Sequence, residues 1–304
     1  MSEFIEVYRN SVQTWECDQM GHLNVQFYVT KATSALASLA VRIGLGPRYE
    51  RSLGARLIAE DHHIRFLRER RAGVPIAIRG GILAADRERL RVYFEMTDSA
   101  GDEIAATFVA NVRLRDTATR RPLALPESAV DAAASMRVAL PAHAEPRGMR
   151  LDEPRAAPTL EEAEGLGMRR TFEGDVVPAQ CDTEGFLKTG GYMGMVSDAY
   201  PNVFALSGGT TLDSNHGGAA LEYRFIYRRT PQCGDVLTLR SAVKDVGDKT
   251  YTFCHWLFDA ESGDCVATAA VVAITLDLEA RRAIPVPESV RAGLENLKID
   301  GLGV

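Results

Sequence analysis

The sequence predicts an α+β protein that contains two copies of one unit, each a long helix packed against an antiparallel sheet of five strands. Three observations lead to this fold class. The two halves of the chain repeat each other, each half has one stretch with the apolar period of a helix, and each half has several stretches that alternate as strands do.

The repeat is the strongest of the three signals. Cys17-Asp18 recurs as Cys181-Asp182, and a glycine, a leucine and a tyrosine follow each pair at matching distances. Toward the end of each half, Leu125-Pro126-Glu127-Ser128 recurs as Val286-Pro287-Glu288-Ser289. One alignment with small gaps therefore covers almost both halves, which indicates an internal duplication.

The first half begins with a strand, continues into a long helix and then returns to strands. The helix is predicted over Val25–Ile43, where Tyr28, Ala32, Leu36 and Leu39 fall on one face. Turn-forming residues separate the later strands from one another. The strands are predicted at Ile5–Thr14, Arg56–Leu67, Val74–Ala84, Leu90–Thr97 and Glu103–Arg115.

The second half repeats this order. Its helix is predicted near Gly191–Leu206, although two adjacent glycines would weaken the first turn. A closing helix is predicted over Glu288–Leu297. The strands are predicted at Arg170–Pro178, Gly218–Arg228, Val236–Val243, Tyr251–Asp259 and Cys265–Leu276.

A proline-containing stretch separates the two halves. We expect a short helix over Glu127–Val138 and then an extended linker. The predicted domains are therefore residues 1–126, a linker over residues 127–167, and residues 168–304.

Composition and charge exclude some classes of function. Apolar residues make up 46% of the chain and charged residues 25%, as in ordinary globular proteins. The net charge of −6 gives no general attraction to nucleic acid or to an anionic membrane, so neither is an expected partner.

The sequence also predicts a cytoplasmic location. The N-terminal residues lack the basic and apolar regions of a signal peptide, and the longest apolar run, Val266–Leu276, is too short to cross a bilayer. The five cysteines are odd in number and include no C-x-x-C pair, which favours a reducing compartment.

A polar turn stands immediately before the first predicted helix. It contains Asp18, Gly21, His22 and Asn24, and Tyr28 follows inside the helix. Unpaired N–H groups at a helix start can hold an oxygen that becomes negative, and an asparagine there is a suitable cap. This pattern resembles the signature of hotdog-fold acyl-CoA thioesterases of the 4-hydroxybenzoyl-CoA thioesterase type.

The resemblance implies a tandem hotdog fold, in which each sheet wraps its helix and the two halves pair within one chain as a pseudo-dimer. It also implies hydrolysis of an acyl-CoA thioester to a carboxylic acid and free coenzyme A. Asp18 would act as nucleophile or as general base for water, and the sequence leaves both routes open. His22 and Asn24 would orient the carboxylate, the water or the turn. Further homo-oligomer formation is also left open.

The second copy departs from the pattern. It keeps the aspartate and the tyrosine, but Phe186 stands where the first copy has His22, and Lys188 stands where it has Asn24. We therefore expect one working site in the first half and a degenerate second half.

Four further residues are candidates for substrate binding. Tyr28 belongs to the motif. Because adjacent strand residues face opposite ways, at most one of His62 and His63 points into a cleft, and His63 is the candidate. Arg65 and Arg68 lie in a basic run, and arginine binds phosphate well, so they are candidates for the nucleotide end of coenzyme A.

Several alternatives remain open. The second copy could have rebuilt a site around Glu184 or Asp198. The whole chain could be a hotdog hydratase or dehydratase of enoyl-CoA, although the Asp-x-Asn-Pro-x-His run of those enzymes is absent, or a non-catalytic acyl-CoA-binding protein. The ligand carrier could be coenzyme A or acyl carrier protein. No metal-ligand spacing or nucleotide loop occurs, so no metal or cofactor is expected.

Overall fold

The computed structural model describes residues 3–207, 216–280 and 282–304. The chain divides into two compact units, which meet in the sequence at Glu145 and Pro146. Each unit places one long helix against an antiparallel sheet of five main strands, which confirms the α+β fold class and the duplication.

The first unit follows the predicted order of one strand, one long helix and four more strands. Its main strands lie in the sheet in the order β1-β3-β4-β5-β2, and the two-residue strand β6 extends the edge of β5. The elements are β1 (Ile5–Ser11), α1 (Val25–Arg42), α2 (Pro47–Leu53), β2 (Ala55–Phe66), β3 (Pro75–Ala85), β4 (Leu90–Asp98), β5 (Ile104–Asp116), β6 (Pro122–Leu123) and α3 (Glu127–Ser135).

The second unit has the equivalent strand order, β7-β9-β10-β11-β8, and a short strand β12 pairs with β11. The two sheets therefore share one topology as well as one sequence pattern. The elements are α4 (Leu160–Gly165), β7 (Arg169–Asp175), α5 (Thr189–Ser207), β8 (His216–Tyr227), β9 (Val236–Val246), β10 (Thr250–Asp259), β11 (Cys265–Asp277), β12 (Arg282–Ile284) and α6 (Glu288–Glu295).

Helix α1 is the central element of the first unit. The predicted apolar face is buried, with Leu39 fully covered and Tyr28 only 3% exposed. This face packs against β1, β2 and β3 of its own unit. Fully burying one such side chain contributes roughly 1.5–3 kcal/mol, so the apolar stripe is what holds the helix to the sheet.

Several features of the fold differ from the sequence predictions. The first strand ends at Ser11, because a 3₁₀ turn occupies Thr14–Glu16. Helix α3 ends at Ser135 because the following residues pair with β3 instead, where Val138 N–H donates to the Ile82 carbonyl. Helix α2 was not predicted. The linker was expected to be extended but contains α4, which the Thr159 side chain caps.

One buried cross-strand pair of the first unit is replaced by two polar residues in the second. Gly80 pairs with Phe94 in the first unit, whereas Ser241 pairs with His255 in the second. Ser241 Oγ lies 2.7 Å from His255 Nδ1 and 2.6 Å from Thr171 Oγ1. Burial lowers the pKa of His255 from its ordinary value of 6.5 to about 3. The second unit therefore carries a neutral histidine in its core.

This histidine makes a prediction about stability and pH. Between about pH 6.5 and pH 3 the unfolded chain binds a proton at this residue that the folded chain does not, so the free energy of unfolding falls as pH falls. The slope is at most about 1.4 kcal/mol per pH unit for one group. The double variant Ser241→Gly and His255→Phe copies the first unit and should remove this part of the slope.

Urea unfolding followed by the fluorescence of Trp256, which is fully buried in the second unit, measures the effect. Buried His62 of the first unit titrates in the same direction and is left unchanged in both proteins, so it cancels in the comparison. Equal slopes in the two proteins would contradict the account.

Candidate active site

The polar turn before α1 is built around the side chain of Asp18. Its Oδ1 accepts hydrogen bonds from the N–H groups of Met20 at 2.9 Å and His22 at 3.1 Å. The Asp18 N–H donates to the His22 carbonyl at 2.8 Å, and the Gly21 N–H donates to the Asp18 carbonyl at 3.0 Å. One carboxylate oxygen is therefore used to fold the turn.

The remaining oxygen of this carboxylate is chemically available. Within the residues that the structure describes, Oδ2 of Asp18 accepts no hydrogen bond and forms no ion pair, and the residue is partly exposed. The turn fixes the carboxylate through Oδ1 while Oδ2 stays open to a ligand. One side chain therefore folds the turn and also leaves an oxygen open.

The turn is also attached to its surroundings by backbone bonds. Leu23 N–H donates to the Arg70 carbonyl at 2.7 Å, and Asn24 N–H donates to the Glu16 carbonyl at 2.9 Å. Gly21 has a φ of 74°, a left-handed conformation that favours glycine. These constraints hold the aspartate at the start of the helix.

The start of α1 offers a hydrogen-bond donor beside the turn. Asn24 caps the helix, because its Oδ1 accepts from Gln26 N–H at 2.9 Å, as the sequence predicts. In the described part of the chain the N–H of Val25, the first helical residue, meets no acceptor. Such an N–H at the positive end of a helix is suited to polarise a carbonyl oxygen.

His22 is buried and points toward another acidic residue. Its Nε2 lies 3.3 Å from Oε2 of Glu69, in ion-pair range but without hydrogen-bond geometry. No hydrogen bond joins the imidazole to the Asp18 carboxylate in the described chain. A direct role of His22 in chemistry therefore stays a prediction.

Tyr28 lies in the core of the first unit. Its hydroxyl is 3.4 Å from the Arg68 carbonyl, and its ring meets Phe66 edge-on at 5.1 Å between centroids. Burial raises the pKa of its hydroxyl. Tyr192 repeats the contact in the second unit, with its hydroxyl 2.8 Å from the Arg229 carbonyl. This shared packing role accounts for the recurrence of the tyrosine, and a contact of Tyr28 with substrate stays a prediction.

Three predicted binding residues lie in or just after β2: His63 and Arg65 belong to the strand, and Arg68 follows its end. His63 and its neighbour His62 are both buried. Arg65 Nη1 donates to the carbonyls of His143 at 2.6 Å and Glu145 at 3.0 Å, so it holds the segment that ends the first unit. A role of His63 or Arg65 in binding substrate stays a prediction.

Arg68 is the more available of the two candidate arginines. Its Nε donates to Glu103 Oε1 at 3.0 Å, but two thirds of the side chain (66%) is exposed to solvent. An exposed ion pair of this kind is weak and can be exchanged for a phosphate. Contact with the nucleotide end of a ligand stays a prediction for Arg68.

The second unit builds the same turn with other residues. Asp182 Oδ1 accepts from the N–H groups of Glu184 at 3.1 Å and Phe186 at 2.9 Å. Lys188 replaces the asparagine cap, and its Nζ instead donates to the Ala179 carbonyl at 3.1 Å. The turn therefore survives in the second copy without the imidazole and the capping amide of the first.

The rim of the first turn carries two apolar side chains that the sequence reasoning did not single out. Trp15 is 75% exposed and Met20 is 44% exposed. The aligned positions of the second copy hold Ala179 and Glu184. A large apolar residue that stands beside the polar turn in only one of the two copies is the sequence signal that could have identified Trp15 and Met20.

The chain belongs to the thioesterase-like superfamily, whose model matches residues 12–133 and again residues 176–294. The two matched segments correspond to the two units, and together with the fold they establish a tandem hotdog architecture. The family of the chain is therefore established for both halves.

Comparison with individual proteins gives one sequence relative and two similar folds. The chain is 30% identical over 93 residues to a betainyl-CoA thioesterase of Pseudomonas aeruginosa, which is 31% of this chain and 58% of that protein. The fold resembles an acyl-ACP thioesterase from Bacteroides thetaiotaomicron, with a TM-score of 0.65, 12% identity and coverage of 88% of this chain and 96% of that one. It also resembles the 12:0-ACP thioesterase of Umbellularia californica, with a TM-score of 0.63, 14% identity and the same coverage.

Among the described residues, none of the helices has the length and apolar character required to span a bilayer.

The cap at the start of α1 gives a prediction about the stability of the first unit. Asn24→Ala removes the acceptor of the Gln26 N–H and should lower the free energy of unfolding by about 1 kcal/mol. Asn24→Asp keeps an acceptor oxygen and is the matched control. Urea denaturation followed by circular dichroism measures both. Wild-type stability in the alanine variant would show that the cap contributes nothing.

Proposed function

We propose that this protein is an acyl-CoA thioesterase, which hydrolyses a thioester to a carboxylic acid and free coenzyme A at the turn before α1. The observation that carries the proposal is the Asp18 carboxylate, fixed through Oδ1 and open at Oδ2. Membership of the thioesterase-like superfamily supports the reaction class.

The carboxylate can act by two routes. As a nucleophile, Oδ2 attacks the thioester carbon, the carbon–sulfur bond breaks, and coenzyme A leaves as a thiolate that takes up a proton. Water then hydrolyses the resulting anhydride and restores Asp18. As a general base, Asp18 instead takes a proton from a water molecule that attacks the thioester directly. Both routes need the same open oxygen.

Either route develops negative charge on the thioester oxygen. The N–H of Val25 lies at the positive end of α1 and is the donor that we assign to this oxygen. Asn24 caps the helix and keeps its first turn formed, so it acts here as a positioning residue. His22 packs under the turn against Glu69.

We assign the working site to the first unit. Both copies use the aspartate to fold the turn, so the presence of Asp182 is explained without catalysis. The second copy lacks the asparagine cap and the imidazole, and its α5 begins with a glycine-containing turn. Its turn is therefore a structural remnant of the duplication in this proposal.

The two aspartates provide a matched pair of variants. Asparagine keeps the Oδ1 acceptor and so keeps the turn, but it is neither a nucleophile nor a base. Asp18→Asn should therefore lower kcat by at least about 100-fold while the protein stays folded. Asp182→Asn makes the same change in the second copy and should leave kcat within about twofold of wild type.

Release of coenzyme A, detected with a thiol reagent over short, long, aromatic and cationic acyl-CoA substrates, measures the effect. Circular dichroism confirms that each variant is folded. Normal turnover by Asp18→Asn would remove Asp18 from the mechanism. Loss of turnover in Asp182→Asn alone would move the site to the second unit.

We also propose a cationic acyl group as the substrate class. The betainyl-CoA thioesterase among its relatives has a name that specifies such a group. On this chain, Trp15 presents an exposed ring in the 3₁₀ turn that leads to Asp18. The face of tryptophan attracts quaternary ammonium groups by about 0.5–2 kcal/mol.

This substrate class predicts a selective effect of Trp15. Trp15→Ala should raise KM for betainyl-CoA by roughly 3- to 10-fold and leave KM for tert-butylacetyl-CoA, its uncharged isostere, unchanged. Met20→Ala changes the other exposed apolar side chain of the rim and is the control. Equal effects on both substrates would remove the cationic class and leave the thioesterase proposal in place.

A further inference from the structure

The second unit brings two cysteines together beside its turn. Cys181 begins the turn that precedes α5, and Cys233 lies in the connection between β8 and β9. Two backbone bonds hold these segments together: Leu187 N–H donates to the Pro231 carbonyl at 2.8 Å, and Cys233 N–H donates to the Gly185 carbonyl at 2.8 Å. Backbone hydrogen bonds therefore hold the two segments that carry these cysteines against each other.

The two thiols are neighbours and differ in exposure. The Cys233 side chain is exposed, whereas Cys181 is partly buried and its Sγ lies 3.5 Å from the Val177 carbonyl. Burial raises the pKa of the Cys181 thiol, and the neighbouring Cys233 thiol contributes to the same shift. Cys233 is thus the accessible thiol, and Cys181 is its immediate neighbour.

The first unit lacks the pair. Cys17 occupies the place of Cys181, with its Sγ 3.6 Å from the Gln13 carbonyl, but Ala72 stands where the second unit has Cys233. The other two cysteines, Cys254 and Cys265, are buried. The thiol pair therefore occurs only in the second copy, beside the turn to which our proposed function assigns no catalytic role.

We propose that Cys181 and Cys233 form a reversible redox site, which a small-molecule disulfide oxidises to an intrachain disulfide. The Cys233 thiolate attacks one sulfur of the small disulfide, forms a mixed disulfide and releases one small thiol. Cys181 then attacks the Cys233 sulfur, the protein disulfide forms, and the second small thiol leaves. The two protein thiols lose two electrons and two protons, and the small disulfide gains both.

The product joins the turn before α5 to the β8–β9 connection. A disulfide requires two cysteines whose β-carbons are close and face each other, and the bonded backbone segments bring Cys181 and Cys233 close to each other. Cross-linking two segments that are already bonded should stabilise the second unit against unfolding. The stability of the second unit would then depend on the ratio of small-molecule disulfide to thiol around the protein.

Oxidised glutathione is the probe for this site. The purified chain is incubated with it, alkylated, digested with trypsin and mapped by mass spectrometry without reduction. We expect a disulfide-linked pair of the peptides 171–188 and 230–240, and the loss of two of the five free thiols. Dithiothreitol should restore both thiols. Cys233→Ala copies the first unit, and in this variant Cys181 should remain open to alkylation.

Two results would overturn the proposal. One is oxidised wild-type protein that carries glutathione on Cys233 while Cys181 stays a free thiol. The other is a disulfide between Cys233 and any cysteine except Cys181. The mapping of the wild-type chain decides between these outcomes even if the variant does not fold, and it does not depend on thioesterase activity.

Discussion

The candidate site depends on one interaction, the pair of hydrogen bonds that Oδ1 of Asp18 accepts from the N–H groups of Met20 and His22. These bonds close the turn, orient the carboxylate and leave its second oxygen open beside the start of α1. Hydrogen bonds to a charged acceptor are worth roughly 1.5–3 kcal/mol each, enough to fix a short turn in one conformation. A structural requirement and a chemical capability thus reside in one side chain.

Comparison of the two copies distinguishes the structural requirement of the turn from the side chains that surround it. The second unit keeps the turn bonds of Asp182 but replaces the histidine and the capping asparagine with Phe186 and Lys188. It also acquires a polar pair, Ser241 and His255, in its core. Both copies therefore keep the backbone pattern of the turn before the helix, whereas the side chains around it differ.

Much of the fold was predictable because it follows from local sequence. The apolar face of α1, the cap by Asn24 and the strand alternation depend on residues near in sequence, and the structure confirms them. Long-range contacts were not predictable. Arg65 donates to the carbonyl of His143, which lies far from it in the sequence. Helix α3 ends early because Val138, beyond its end, bonds to Ile82 of β3.

The site shows the same division. The sequence motif identifies Asp18 and Asn24, because their spacing from the helix start determines what they bond. It does not reveal that the Tyr28 hydroxyl meets the Arg68 carbonyl, that His22 faces Glu69, or that Trp15 is exposed, since each depends on which segments pack nearby.

The most direct measurement is a crystal structure of the wild-type protein with a ketone analogue of an acyl-CoA, in which methylene replaces the thioester sulfur. The account predicts a carbonyl carbon about 3–3.5 Å from Oδ2 of Asp18, with the carbonyl oxygen accepting from the Val25 N–H. A carbonyl bound elsewhere, with Asp18 turned to solvent, would contradict it.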